Sequence, residues 1–137
     1  MLTISTAQEG QASEAQYISL PGMSTSPLSA ASVRNGVIYS SGQVGRDPET
    51  GHIPTDFAGQ AHTAFANLKR VLEASGGSLA TVLKTTVFLT KQQDFAAMNE
   101  IYRGYFPEQK PARSTLVVEL ADPALQFEIE AIAYQLG

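Results

Sequence analysis

Apolar residues alternate at strand spacing over some stretches of the chain and recur at helical spacing over others, and the switches between the two rhythms predict the elements. Ser29 to Arg34, Asn35-Gly36 and Val37 to Ser41 read as two strands joined by a two-residue turn, because Asn-Gly accepts positive φ at both central positions. Before them, Tyr17 to Leu20 reads as a short edge strand ended by Pro21-Gly22. Ser24 to Leu28 is a polar loop broken by Pro27, able to border a pocket. After the hairpin, Gly42-Gln43-Val44-Gly45 has two readings: small residues that let a ligand or another chain approach the backbone, or a bulge or strand end.

From about Asp56 to Ser75, Phe57, Ala61, Ala64, Phe65, Leu68, Val71 and Leu72 form one helical stripe, and Gly76-Gly77 supplies the stop. Thr81 to Thr90 is β-branched and nearly continuously apolar, which predicts a central strand covered on much of both faces. Asp94 then reads as the cap of a second helix, with Phe95, Met98, Tyr102, Tyr105 and Phe106 as its core stripe and Pro107 as its end. Ser114 to Leu120 and about Gln126 to Gln135 are further strands, divided by a turn at Ala121-Asp122-Pro123. In the last one, Phe127, Ile129, Ala131 and Ala133 point one way and Glu128, Glu130, Ile132 and Tyr134 the other. The order predicts an α+β domain over residues 17–137, a mixed six-stranded sheet with two helices on one face, after a flexible tail 1–16.

Bulk properties narrow the chemistry. With 43% hydrophobic and 16% charged residues the chain is an ordinary folding sequence, and a formal charge of -4 without a basic stripe argues against nucleic acid as primary partner. There is no cysteine, which removes thiolate nucleophiles and Cys-ligated metals. His52 and His62 are the only imidazoles, and His62 lies off the helical stripe as a solvated side chain. Without a leader-like start or a bilayer-length apolar run, a cytoplasmic protein is expected.

The stretch Lys110-Pro111-Ala112-Arg113-Ser114-Thr115 opens one strand with a fixed cation, and Glu128 sits inside the next. A short connection between those strands brings opposite charges toward one concave site. By spacing alone the pair also reads as a structural ion pair across adjacent strands, and Glu130 competes with Glu128 as the interacting carboxylate. Tyr102, Tyr105 and Phe106 read as core or subunit contact.

Five stretches in this order, Ser41-Gly42-Gln43, Lys84-Thr85-Thr86-Val87-Phe88-Leu89, Met98-Asn99-Glu100-Ile101-Tyr102, Pro111-Ala112-Arg113-Ser114 and Glu128-Ile129-Glu130-Ala131-Ile132-Ala133, resemble the RidA/YjgF family of reactive intermediate deaminases, formerly called L-PSP endoribonucleases. The resemblance runs from about Ser26 to the C-terminus. It implies a chorismate-mutase-like fold, a homotrimer with clefts between subunits, and cofactor-free hydrolysis of 2-imino acids such as 2-iminobutanoate and 2-iminopropanoate, or their enamine tautomers, to 2-oxo acids and ammonia. These intermediates escape from pyridoxal-phosphate enzymes, which gives the functional link. Carried over by resemblance, Arg113 is the carboxylate anchor and Glu128 the acid/base, with Asn99, Ser41 and backbone groups of Gly42 and Thr115 around substrate or water. Asn99 also reads as a helix-surface residue, and Ser41 as strand-end packing. The tyrosine that many members carry in a Gly-Pro-Tyr loop falls at Leu28, so the pocket loses a hydroxyl and gains an apolar wall. The same match admits a non-catalytic trimer that binds a 2-oxo acid, and the acidic composition argues against the ribonuclease of the older name.

Overall fold

The computed structural model describes residues 14–137. Of the expected tail, residues 1–13 lie outside the described residues, and Gln16 already pairs with Val33. The strands are β1 (Gln16–Ile18), β2 (Ala31–Arg34), β3 (Val37–Ser40), β4 (Gln43–Val44), β5 (Val82–Leu89), β6 (Ala112–Val117) and β7 (Phe127–Tyr134). Two helices, α1 (Phe57–Ala74) and α2 (Phe95–Tyr105), complete the layer on one side. All strands join one sheet in the order β1-β2-β3-β7-β5-β6, with β4 also on β7. Only β5 and β6 run parallel, as a crossover through a helix, here α2, requires.

The sheet is mixed, as expected, but among the described residues it has seven strands instead of six. The extra one arises at Gly42-Gln43-Val44, where β4 resumes the pairing that β3 began. Tyr39 lies opposite Ile132, yet Gln43 lies opposite Ile129, so the β3–β4 side holds one residue more than β7 over the same span. That is a β-bulge. Ser40 repairs the interrupted ladder by accepting the Ala131 N–H on its Oγ at 2.9 Å. Asn35 and Gly36 adopt φ of 52° and 78°, the left-handed pair that the hairpin turn needs.

Helix α1 starts where Asp56 accepts the Gly59 N–H at 2.9 Å. It ends as Gly76 turns to a φ of 91° and the Gly77 N–H reaches the Leu72 carbonyl at 2.9 Å. The expectation for Asp94 is corrected: it closes a 3-10 turn (Gln92–Asp94), has helical φ and ψ, and makes no side-chain cap bond. The turn meets α2 head-on, so Asp94 is already helical and the Phe95 N–H goes to the Gln92 carbonyl.

Phe127, Ile129, Ala131 and Ala133 are buried in the core on the helix side, where Phe127 lies 5.8 Å from Phe65. The Phe65 ring stacks on Tyr105 at 4.1 Å and meets Tyr102 edge-on at 6.0 Å. His62 is exposed, as expected, but its Nδ1 lies 2.7 Å from the Tyr105 hydroxyl and so ties α1 to α2. β5 is central, between β7 and β6. It is covered on one face only: Thr85, Val87 and Leu89 are buried, while Lys84 is exposed on the other face and Thr86 and Phe88 are only partly covered. Both helices lie on the first side, leaving an open face with Glu128, Glu130, Ile132 and Tyr134 of β7 and with Tyr39, which is 48% exposed. No helix of the described residues is long and apolar enough to cross a membrane.

Candidate active site

The chain carries two separate groupings of the expected residues. The first is built on β6. Arg113 stands opposite Thr85 on the parallel neighbour, and paired residues share a face. Thr85 faces the helices, so Arg113 projects toward α2. Its guanidinium carbon lies 4.8 Å from the centre of the Tyr102 ring and 5.8 Å from that of Phe95. Nη1 approaches Met98 Sδ at 3.8 Å. Thr115 follows two residues later on the same face, and Asn99, half-buried, lies between Phe95 and Tyr102 along α2.

This guanidinium is half-buried and has no carboxylate partner among the described residues. Among the described residues the one ion pair is Arg46–Asp122 at 2.6 Å. A guanidinium has five donors in a planar fork, and aromatic faces and a thioether satisfy few of them. A partly desolvated cation with free donors is matched to an anion that can accept two parallel bonds, above all a carboxylate.

The second grouping surrounds the bulge. Glu128 stands opposite Val44 and Phe88, on the open face. Its pKa is raised, first by burial and then by the charge of Glu130, two residues along on the same face. Gly42 lies against this side chain: a Cβ there would fall 2.8 Å from the Glu128 carboxyl carbon and 3.2 Å from its Cγ. Ser41 donates its hydroxyl proton to the Ser29 carbonyl at 2.6 Å, so toward a ligand its oxygen is left to accept. Leu28 is 56% exposed and shares with Ser41 and Gly42 a cleft of about 220 Å³ that Leu20, Met23 and Val71 also line.

Within one chain, Arg113 and Thr115 share the helix-side face of β6, with Asn99 on the helix that Arg113 meets. Gly42 touches Glu128 on one side and on the other shares with Ser41 and Leu28 a cleft that Glu128 does not line. Arg113 and Glu128 do not meet. β6 and β7 are consecutive in sequence but not adjacent, since β5 lies between them. Thr85 and Phe88 point to opposite faces of β5, so their partners Arg113 and Glu128 do as well. The reading of this pair as an ion bridge across adjacent strands is therefore wrong. Sequence reasoning also missed the surroundings of Arg113. Phe95, Met98 and Tyr102 read as one core stripe, yet Phe95 is 44% exposed. The available signal was the position of Arg113 on a strand entered from α2. Among the described residues no three His, Cys, Asp or Glu side chains gather to hold a metal ion.

Comparison with known proteins agrees with this architecture. Residues 21–135 match the family model described as Endoribonuclease L-PSP. The chain is 43% identical to a RutC family protein of Pyrococcus horikoshii, over 80% of this chain and 87% of that one. It is 42% identical to the 2-iminobutanoate/2-iminopropanoate deaminase of Mus musculus, over 80% of this chain and 82% of that one. The crystal structure of the YjgF gene product from Escherichia coli superposes with a TM-score of 0.80 at 33% identity, covering 88% of this chain and 99% of that one.

Proposed function

The chain belongs to the endoribonuclease L-PSP family, which includes the RidA/YjgF-type deaminases, and from that premise we propose that it hydrolyses 2-imino acids and their 2-enamine tautomers to 2-oxo acids and ammonia. The observation that carries this reading is the half-buried Arg113 guanidinium without a carboxylate partner among the described residues. It holds the substrate carboxylate, with Asn99 and Thr115 beside it. Water adds to the C=N carbon, giving a tetrahedral carbinolamine. The C–N bond then breaks, the carbonyl forms and ammonia leaves. Glu128 takes a proton from the attacking water and returns one to the departing nitrogen. Its raised pKa suits a group that must both accept and donate a proton. Ser41 and the Gly42 backbone bracket the water, and Leu28 gives the pocket an apolar wall in place of a hydroxyl. The test is to generate imines with an amino acid oxidase and follow 2-oxo acid release with and without the protein. Unchanged rates across a panel of imines would end the proposal.

Because the two groupings lie on opposite faces, a working site needs Arg113 of one copy against Glu128 and Gly42 of another. The aromatic open face with Tyr39 and Tyr134 supports burial against further copies, in a homotrimer. Arg113→Ala and Glu128→Gln chains, each inactive alone, are then expected to regain activity when unfolded and refolded together, since random assembly leaves about one site in four intact. No recovery in a trimer of mixed chains would overturn the shared site.

Gly42→Ala is expected to leave the melting temperature within a few degrees while lowering kcat/KM on the order of 10²-fold, because the new methyl displaces the Glu128 carboxylate by about an ångström. Paired thermal denaturation and steady-state kinetics check this. A second reading, a trimer that binds 2-oxo acids without turnover, draws on Leu28. Tight 2-oxo acid binding in calorimetry with no imine hydrolysis would favour it.

A further inference from the structure

Thr85 is fully buried, and a hydroxyl in that position needs a partner. It finds one in the Tyr102 hydroxyl, 2.7 Å away. Phe65 meets the Tyr102 ring at 6.0 Å and Phe106 at 4.8 Å. With its oxygen tied to β5 and its ring packed against two phenylalanines that also touch each other, Tyr102 has little freedom to turn. One face is left for Arg113, whose guanidinium carbon is 4.8 Å from the ring centre.

We propose that Tyr102, locked by Thr85, is a positioning residue that holds the Arg113 guanidinium through its ring and leaves the donors free for the substrate carboxylate. The inference rests on the deaminase reading for what Arg113 binds. An aromatic face attracts a cation without neutralising it. A carboxylate in the same place would hold the arginine equally well but would occupy the donors the substrate needs. With no support, the long side chain would spread over several rotamers, and binding would have to order it. Burial raises the Tyr102 pKa more than Thr85 and Arg113 lower it, so the phenol keeps its proton and the bond to Thr85 persists.

The experiment compares Tyr102→Leu, Tyr102→Phe and Thr85→Val by steady-state kinetics, calorimetry with 2-oxobutanoate, thermal denaturation and the ¹H–¹⁵N resonance of Arg113 Nε. Tyr102→Leu is expected to raise KM and the 2-oxobutanoate Kd together by ~10-fold, with kcat changed by less than ~3-fold. Tyr102→Phe keeps the ring and restores most of that loss. The ring-current shift of Arg113 Nε–H is lost in Tyr102→Leu and kept in Tyr102→Phe. A folded Tyr102→Leu with unchanged KM and Kd overturns the clamp, as does an Arg113 resonance indifferent to the ring. Should Tyr102→Leu fail to fold, Thr85→Val carries the test: it loosens the ring without removing it, a rise in Kd supports the clamp, and an unchanged Kd overturns it. Wild-type protein that neither hydrolyses imines nor binds 2-oxobutanoate overturns the deaminase reading instead, and the Arg113 resonance still decides the clamp.

Discussion

Arg113→Ala is expected to lower kcat/KM for 2-imino acids by about 10² to 10³-fold, the usual consequence of removing one partner from a desolvated charge pair. The fold should hardly register the change. Arg113 lies on an edge strand, and its contacts are ring faces and a thioether, so truncation breaks no ion pair among the described residues. Arg113→Lys should recover little, because a single ammonium cannot supply two parallel bonds in the plane of a carboxylate. Steady-state kinetics on imines generated in situ, with a thermal melt of each variant, separate the effects. A large loss of melting temperature in Arg113→Ala would mean that the residue holds the structure and not the substrate.

Glu128→Gln is expected to lower kcat by about 10² to 10⁴-fold, the range of general acid/base catalysis. The pH profile gives a sharper test. Hydrolysis needs the ionised carboxylate, so kcat/KM should fall as pH drops through the Glu128 pKa, and burial together with Glu130 puts that limb above the ordinary 4.5. Glu130→Gln removes the second cause and should move the limb toward lower pH. Stability follows the opposite sign. The folded carboxyl binds its proton more readily than the unfolded one, so ionising it costs stability above the raised folded pKa, and the cost fades as pH falls toward 4.5. Glu128→Gln should therefore melt at a higher temperature than wild type at pH 8 and at the same temperature near pH 3. An acid limb at or below the ordinary value, or one that ignores Glu130→Gln, would remove Glu128 from the proton-transfer role.

Most of the fold was legible wherever a local rule has few exceptions. Asn35-Gly36 has one comfortable hairpin geometry, and the α1 stripe ends at two glycines because only a left-handed turn is needed there. Alternation in β7 sorted Phe127 and Glu128 to opposite faces correctly. What local pattern could not supply was adjacency. Arg113 and Glu128 are fifteen residues apart in sequence, yet β5, from much earlier in the chain, inserts between their strands. The number of residues from Thr85 to Phe88 then decides that the two point apart. Asp94 shows the same limit on a smaller scale: the residue type was right for a cap, but the 3-10 turn that it closes gives it helical dihedrals in place of the extended ones a cap adopts. Tyr102 read as core, and it is buried, but its second role depends on a strand that pattern alone does not bring beside it.

The extra residue in the β3–β4 edge of β7 divides what makes this sheet easy to fold from what makes it useful. A regularised copy, one residue shorter between Tyr39 and Gln43, would zip along β7 without a break and would not need the Ser40 hydroxyl to stand in for a carbonyl. Such a sheet would also turn Ser41 and Gly42 away from Glu128, leaving a sounder scaffold with nothing for a substrate to meet. An engineer seeking a more robust version of this chain should therefore work elsewhere and leave this irregularity in place.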